Sequence, residues 1–319
     1  ATAMIVEAAP PPDEIFWRNV GLPDNARKTG RLLSFAATTS LCFFWSVPVA
    51  FISSLTAVDS LKQKLPTLAR LVDEFPWLEA FLATIAPLIL LALNNLVLPT
   101  AVKVFSTWEG LVGSPQLEAS TFVKLSAFVV IQTFFVSAIS GSISAELANI
   151  LDNPEDIVVL LGNSLTTQSS YFIQIVLVYT LMLQGLDLLR VWPVGLAILR
   201  RFVGPRLTAK ERRKTWRFVN SLEDPPEFSH AEVFSQIILF YVVFFVYAPI
   251  APVTCIFLWI CFMICESGYR YHFIHNHKTQ PDSGGLIFKG FTQMLIGSIF
   301  IGELTLMGTL GLKRAVYAV

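Results

Sequence analysis

Long apolar runs alternate with short polar stretches along the chain, and the runs set the expected fold class. A helix needs about 20 mostly apolar residues to cross the roughly 30 Å hydrocarbon core of a bilayer. Seven segments meet that length, at about 31–55, 81–105, 122–147, 169–190, 231–249, 252–270 and 286–311. The fifth and sixth come from one apolar block interrupted by Pro249 and Pro252, so they read as a helical hairpin with a tight turn. A closed barrel would show ten-residue strands alternating apolar and polar. These runs are apolar on all sides, which excludes it. The prediction is an all-α protein, a polytopic transmembrane helical bundle of about seven spans.

Composition agrees with the pattern. The 319 residues are 54% hydrophobic and 14% charged, against about 25% charged in a soluble domain. A disordered chain, a small disulfide scaffold and a typical soluble enzyme are excluded. Net charge is zero, but the signs are sorted. The side holding residues 1–30, 106–121, 191–230 and 271–285 carries 18 of the 23 Lys and Arg once adjoining span ends are included. The positive-inside rule makes that side cytosolic, with the N terminus inside. The densest stretch, RRFVGPRLTAKERRKTWR, lies in 191–230, which reads as a basic cytosolic loop; residues 313–319 read as a short tail. Its charge serves as an orientation signal and suits anionic lipid headgroups. Nothing about it resembles a nucleic-acid fold.

Polar residues inside the spans are costly and usually face a bundle interior or a water-filled path. Asn94 and Asn95 lie in the second span, Gln132 in the third, and Gln174, Tyr179, Thr180, Gln184 and Asp187 in the fourth. Tyr179, Thr180, Gln184 and Asp187 share roughly one helix face. Such a face suits hydrated cations, and it equally suits hydrogen bonding between helices. Pro87 and Pro99 in the second span and Gly185 in the fourth are candidate hinges. Beyond the first span, 56–77 has the spacing of an interfacial helix, and Asp152, Glu155 and Asp156 form an acidic loop.

Other chemistry is thin. Cys42, Cys255, Cys261 and Cys265 all fall in apolar runs and read as small buried hydrophobes. Glu266 with His272, His275 and His277 lacks any zinc-binding pattern, and reads better as an aromatic and basic interfacial belt. There is no phosphate loop, dinucleotide fingerprint or nucleophile elbow. Neither an enzyme nor a resident cofactor is expected.

Several stretches carry a family resemblance. They are EIFWRNVGLP at 14–23 with Arg31, VPVAFISSLTAVDSLKQKLPTL at 47–68, and Pro87 and Pro99 twelve apart. FSTWEG at 105–110, Asn153-Pro154, YAPIAP at 247–252, and Tyr269 with Arg270 complete the set. In this order the chain resembles the transmembrane part of the OSCA-type osmotically and mechanically gated, calcium-permeable cation channels. The fold is also similar to that of the anoctamin channels and scramblases.

The resemblance implies a pore within one subunit, lined by the first five spans, with the fourth as gating helix. It places Asp187 at the family's acidic position, Tyr179 where the plant pattern has Asp, and Gly185 near the hinge. Thr180, Leu183 and Leu186 replace three glycines of the plant branch. Residues 1–30 match the lead-in from a cytosolic domain. The resemblance further implies a plasma-membrane protein whose partners are lipids and cations including Ca2+, with a homodimer or larger complex in view. A structural membrane subunit and a scramblase-like protein are the alternatives.

Overall fold

The computed structural model describes residues 11–47, 93–136, 169–203, 228–278 and 283–312. The ends of the first and third spans, the first half of the second span with Pro87, both outer loops, most of the basic loop and the short tail lie outside them. The described residues are helical, apart from short connections and one isolated bridge between Ile15 and Gly113. Ten α-helices follow in chain order among them. These are α1 Trp17–Val20, α2 Asp24–Phe44, α3 Leu98–Thr107, α4 Ser114–Val129 and α5 Ser169–Leu177. Then come α6 Gln184–Leu188, α7 Val191–Val203, α8 His230–Ile250, α9 Val253–His275 and α10 Leu286–Leu312.

Three π-helical turns are built into this series. Leu93–Val97 leads into α3, Val130–Val136 continues α4, and Val178–Leu183 joins α5 to α6. Counting through these turns, five continuous helices among the described residues are long and apolar enough to cross a membrane: Ser114–Phe134, Ser169–Leu188, His230–Ile250, Val253–His275 and Leu286–Leu310.

Local chemistry explains the ends. Pro115 occupies the first turn of α4, where a missing N–H costs no helical hydrogen bond, whereas Pro99, near the start of α3, follows directly on a π turn. Pro249 sits in the last turn of α8, and the chain breaks at Ala251 and Pro252 before α9 begins. The Ala251 amide still donates to the Tyr247 carbonyl at 2.8 Å, closing the end of α8. Two expectations shift. The helix of the first span starts at Asp24, ahead of the apolar run, because nothing between Pro23 and the run breaks it. The stretch expected as a basic loop opens with a helix, α7, whose Pro193 lies in its first turn and is followed by Leu, Ala, Ile and Arg, mostly good helix formers.

The chain divides into two compact units. The first takes its described residues from Ala1–Phe134, His230–Gln236 and Ser283–Thr292. In it α2, α3 and α4 pack together around Trp45, Leu98, Val102, Leu125 and Phe128. Trp45 meets Phe128 edge to face at 5.8 Å. Gly30 lets α2 approach the turn after α3. A Cβ there would stand 2.1 Å from the Trp108 carbonyl oxygen, far inside van der Waals contact. The lead-in is tied down as well: the Phe16 amide donates to the Val112 carbonyl, and Asn19 Nδ2 to the Leu111 carbonyl, each at 2.8 Å. Phe122 meets Phe234, from the start of α8, edge to face and stacks with Phe291, from the start of α10.

The second unit takes its described residues from Phe135–Ser229, Ile237–Asp282 and Gln293–Val319. Here α9 packs along α5, the third π turn and α6. Its buried residues are Thr254, Leu258, Cys261, Cys265, Gly268 and His272. Their alternating spacing of four and three makes one narrow stripe, rich in small and polar residues, as suits close contact between apolar helices. The opposite face exposes Ile256, Trp259, Ile260 and Met263. Large apolar side chains left in the open along a helix belong in lipid.

Candidate ion-pathway residues and the π turns

Five of the seven candidate pathway residues sit in, or directly after, a π turn. Asn94 and Asn95 lie in Leu93–Val97, Gln132 in Val130–Val136, and Tyr179 in Val178–Leu183, with Gln184 just beyond. A π turn inserts one extra residue into an α-helix and re-aims the side chains around it, and such turns are frequent at functional sites. At Pro99 there is a local cause: proline cannot donate to the carbonyl four residues back. The wider turn just before it accommodates that loss.

The first unit uses its polar residues as ties. Asn94 and Asn95 are both exposed, and Asn94 Oδ1 accepts from Trp45 Nε1 at 3.1 Å. Gln132 Nε2 donates to the Cys42 carbonyl, joining α4 to α2. A stronger tie, which sequence reading missed, lies further along the same helices. Lys124 Nζ is paired with Glu109 and donates to the hydroxyls of Ser34 and, at 3.1 Å, Ser106. Ser120 Oγ adds a hydrogen bond to the Glu109 carboxylate at 3.0 Å. An ammonium has three donors, and here each has an acceptor. No spacing rule reveals the cluster, because its members come from α2, α3, the turn after α3 and α4.

The second unit gathers Tyr179, Thr180 and Gln184 against α9. The Tyr179 and Tyr269 hydroxyls are 2.9 Å apart, and the Tyr179 ring meets Phe240 edge to face at 4.9 Å. Gln184 is 2% exposed, and its Oε1 has no hydrogen-bond partner. That oxygen lies 3.1 Å from where a Cβ on Gly268 would stand, so Gly268 is what admits it. In an unbroken α-helix, residues five apart point about 140° away from each other. The π turn between Tyr179 and Gln184 removes much of that offset, which brings both to α9.

Other predicted residues fall differently. Gln174 and Asp187 are exposed, so the face is not one continuous stripe. Asp187 is nevertheless within electrostatic range of His272 and His277. Gly185 has open space around its Cβ position and lies two residues past the π turn. No packing demands glycine there. Tyr269, Gly268 and His272 join the site from a helix end that reads in sequence as an interfacial belt. Their four-and-three spacing with Cys261 and Cys265 was the signal available. Among the described residues no group of three or more His, Cys, Asp or Glu could hold a metal ion.

A family model for the calcium-dependent channel 7TM region matches residues 30–310. The chain belongs to this calcium-dependent channel family. It is similar to three Arabidopsis thaliana proteins: hyperosmolality-gated Ca2+ permeable channel 1.5, at 25% identity over 315 residues; channel 1.8, at 26% over 315; and channel 2.2, at 26% over 317. Each alignment covers 98% of this chain and 40%, 38% and 39% of the relative, respectively. The chain thus spans about two fifths of the length of these relatives. The family and the relatives are ion channels by name, not enzymes. The family and the apolar helices together make this an integral, multi-pass membrane protein.

Proposed function

We propose that this chain forms the transmembrane core of a gated, calcium-permeable cation channel that opens under osmotic stress or membrane tension. The observation that carries the reading is the polar face of Tyr179, Thr180 and Gln184, set by a π turn inside an apolar span, with a buried Gln184 acceptor left unpartnered. A buried oxygen without a donor is rare in folded proteins. Once the face opens, it would offer a permeating cation or its water a ligand. The family and the names of its relatives support the same reading.

Cations pass down their gradient, Ca2+ among them, along a pathway lined by the first five spans. Asn94, Asn95, Gln132, Gln174 and Asp187 belong to it at other depths. Converting the π turn at Val178–Leu183 to α-helix would rotate Tyr179 relative to Gln184. Gly185 and Pro99 absorb the bend, and Pro87 does so outside the described residues. The distribution of basic residues favours a cytosolic N terminus, and the plasma membrane is the proposed site of action. The bundle works as a homodimer or within a larger membrane complex.

The test is single-channel recording from purified protein in liposomes under stepped suction. Current that rises with tension, carries Ca2+ and falls in Gln184→Leu is the expected result. Silence at every tension, in protein shown to be folded and inserted, overturns the reading. Silence together with headgroup transfer between leaflets would assign a lipid path instead. Silence in both assays would leave a structural subunit.

A further inference from the structure

The buried stripe of α9 holds two thiols whose geometry has no use in the pathway described above. Cys261 and Cys265 are one helical turn apart, both buried, and their sulfurs converge to 3.9 Å. Cys42 and Cys255 are partly exposed and do not join them. The Thr180 hydroxyl lies beside Cys261, and Tyr179 lies within electrostatic range of both thiols. The pair therefore faces the π turn of the fourth span, within the same unit.

Distance decides what the pair can hold. A disulfide needs its Cβ atoms about 3.5–4.5 Å apart. Residues four apart on an α-helix keep theirs about 5–6 Å apart, so an S–S bond would require α9 to distort. A bridging ion needs no such change. Two zinc–thiolate bonds of about 2.3 Å at the tetrahedral angle put the sulfurs about 3.8 Å apart, close to the spacing observed. Thiolates select soft d10 ions, whereas Ca2+ takes oxygen ligands. No third His, Cys, Asp or Glu completes the set among the described residues. The remaining positions fall to water and to the Thr180 oxygen, whose hydrogen is already donated to the Val176 carbonyl.

We propose that Cys261 and Cys265 form a two-thiolate site for a soft divalent cation, of the Zn2+ and Cd2+ class, on the face of α9 that meets the π turn at Val178–Leu183. Binding replaces two S–H bonds by two metal–sulfur bonds and releases two protons, with no change of oxidation state. An ion held there stiffens the α9 stripe beside Tyr179 and Thr180. Block of the current by that ion rests on the channel reading above; binding itself does not.

The experiment titrates Cd2+ into the purified chain in detergent, kept reduced by a phosphine, and follows the thiolate-to-cadmium absorption band in the ultraviolet. One equivalent of Cd2+ should saturate the band, with proton release in step. Affinity should fall roughly tenfold or more in Cys261→Ser and in Cys265→Ser, since even the loss of an outer-shell partner costs that much. It should persist in Cys42→Ala and Cys255→Ala. Circular dichroism shows whether each variant keeps its helices, and a mild Cys261→Ala change serves if the serine variant does not. No band in the folded wild-type chain, or a band that survives loss of both thiols, overturns the proposal. Binding that leaves the tension-evoked current unchanged keeps the site and counts against the Tyr179–Gln184 face as the pathway, so the two readings fail separately.

Discussion

Two polar clusters are built into apolar helices of this protein, and they are finished differently. In the first unit, Lys124 spends its donors on Glu109, Ser34 and Ser106, and Ser120 supports the carboxylate. In the second, Gln184 Oε1, Tyr247 Oη, Thr254 Oγ1 and His272 Nε2 are buried without a hydrogen-bond partner. The first unit has orphans too, Ser126 Oγ among them, but they lie outside its ionic cluster. A closed cluster holds helices together and has no bonding capacity to offer. An open one costs stability when dry, and can recover it by taking up water, an ion or a moving side chain. The contrast separates a clamp from a site.

The strongest way to break the contrast is Lys124→Ala. It strands the buried Glu109 carboxylate, and removing one partner of a buried pair costs about 3–5 kcal/mol. Thermal unfolding in detergent should show the loss, and adding Glu109→Leu should restore part of it. If Lys124→Ala unfolds like the wild-type chain, the clamp reading is lost. Gly30→Ala tests the same unit by sterics. The added methyl meets the Trp108 carbonyl, and overpacking of this kind costs about 1–3 kcal/mol. It should lower the melting temperature less than Lys124→Ala does.

The second unit should respond with smaller changes in stability and larger ones in current. Tyr179→Phe removes the hydroxyl pair with Tyr269, worth about 0.5–1.5 kcal/mol, and should shift the tension at which half the channels open. Gln184→Leu replaces an incompletely satisfied amide by an apolar group of similar size. Its stability should change by about 1 kcal/mol or less, in either direction, while unitary conductance falls. A large loss of stability with conductance intact would make Gln184 packing material and reverse the comparison.

How far the site was legible depends on the range of the interaction behind each part. The polar residues of the fourth span announce themselves, because a Gln in an apolar run is conspicuous wherever it points. That Tyr179 and Gln184 share a neighbour was legible only as an α-helical approximation; the π turn between them supplies the true register. The α9 stripe from Thr254 to His272 is readable as a spacing, but its small residues carry little hydrophobic signal, so Cys261, Cys265 and His272 stand out singly rather than as one face. The Lys124 cluster offered none, since its partners are 15, 18 and 90 residues away in sequence.

The sequence by itself determined the spanning helices, the break at Pro249 and Pro252, and the family. The reason is that transfer of an apolar run into lipid, and the missing donor of a proline, are properties of a segment alone. Tertiary structure decided which polar groups meet, where the helices widen into π turns, and which sulfurs converge. A π turn gives up regular hydrogen bonding locally and survives where packing against another helix favours the re-aimed side chains. A buried charge settles only where three helices happen to bring its acceptors within reach.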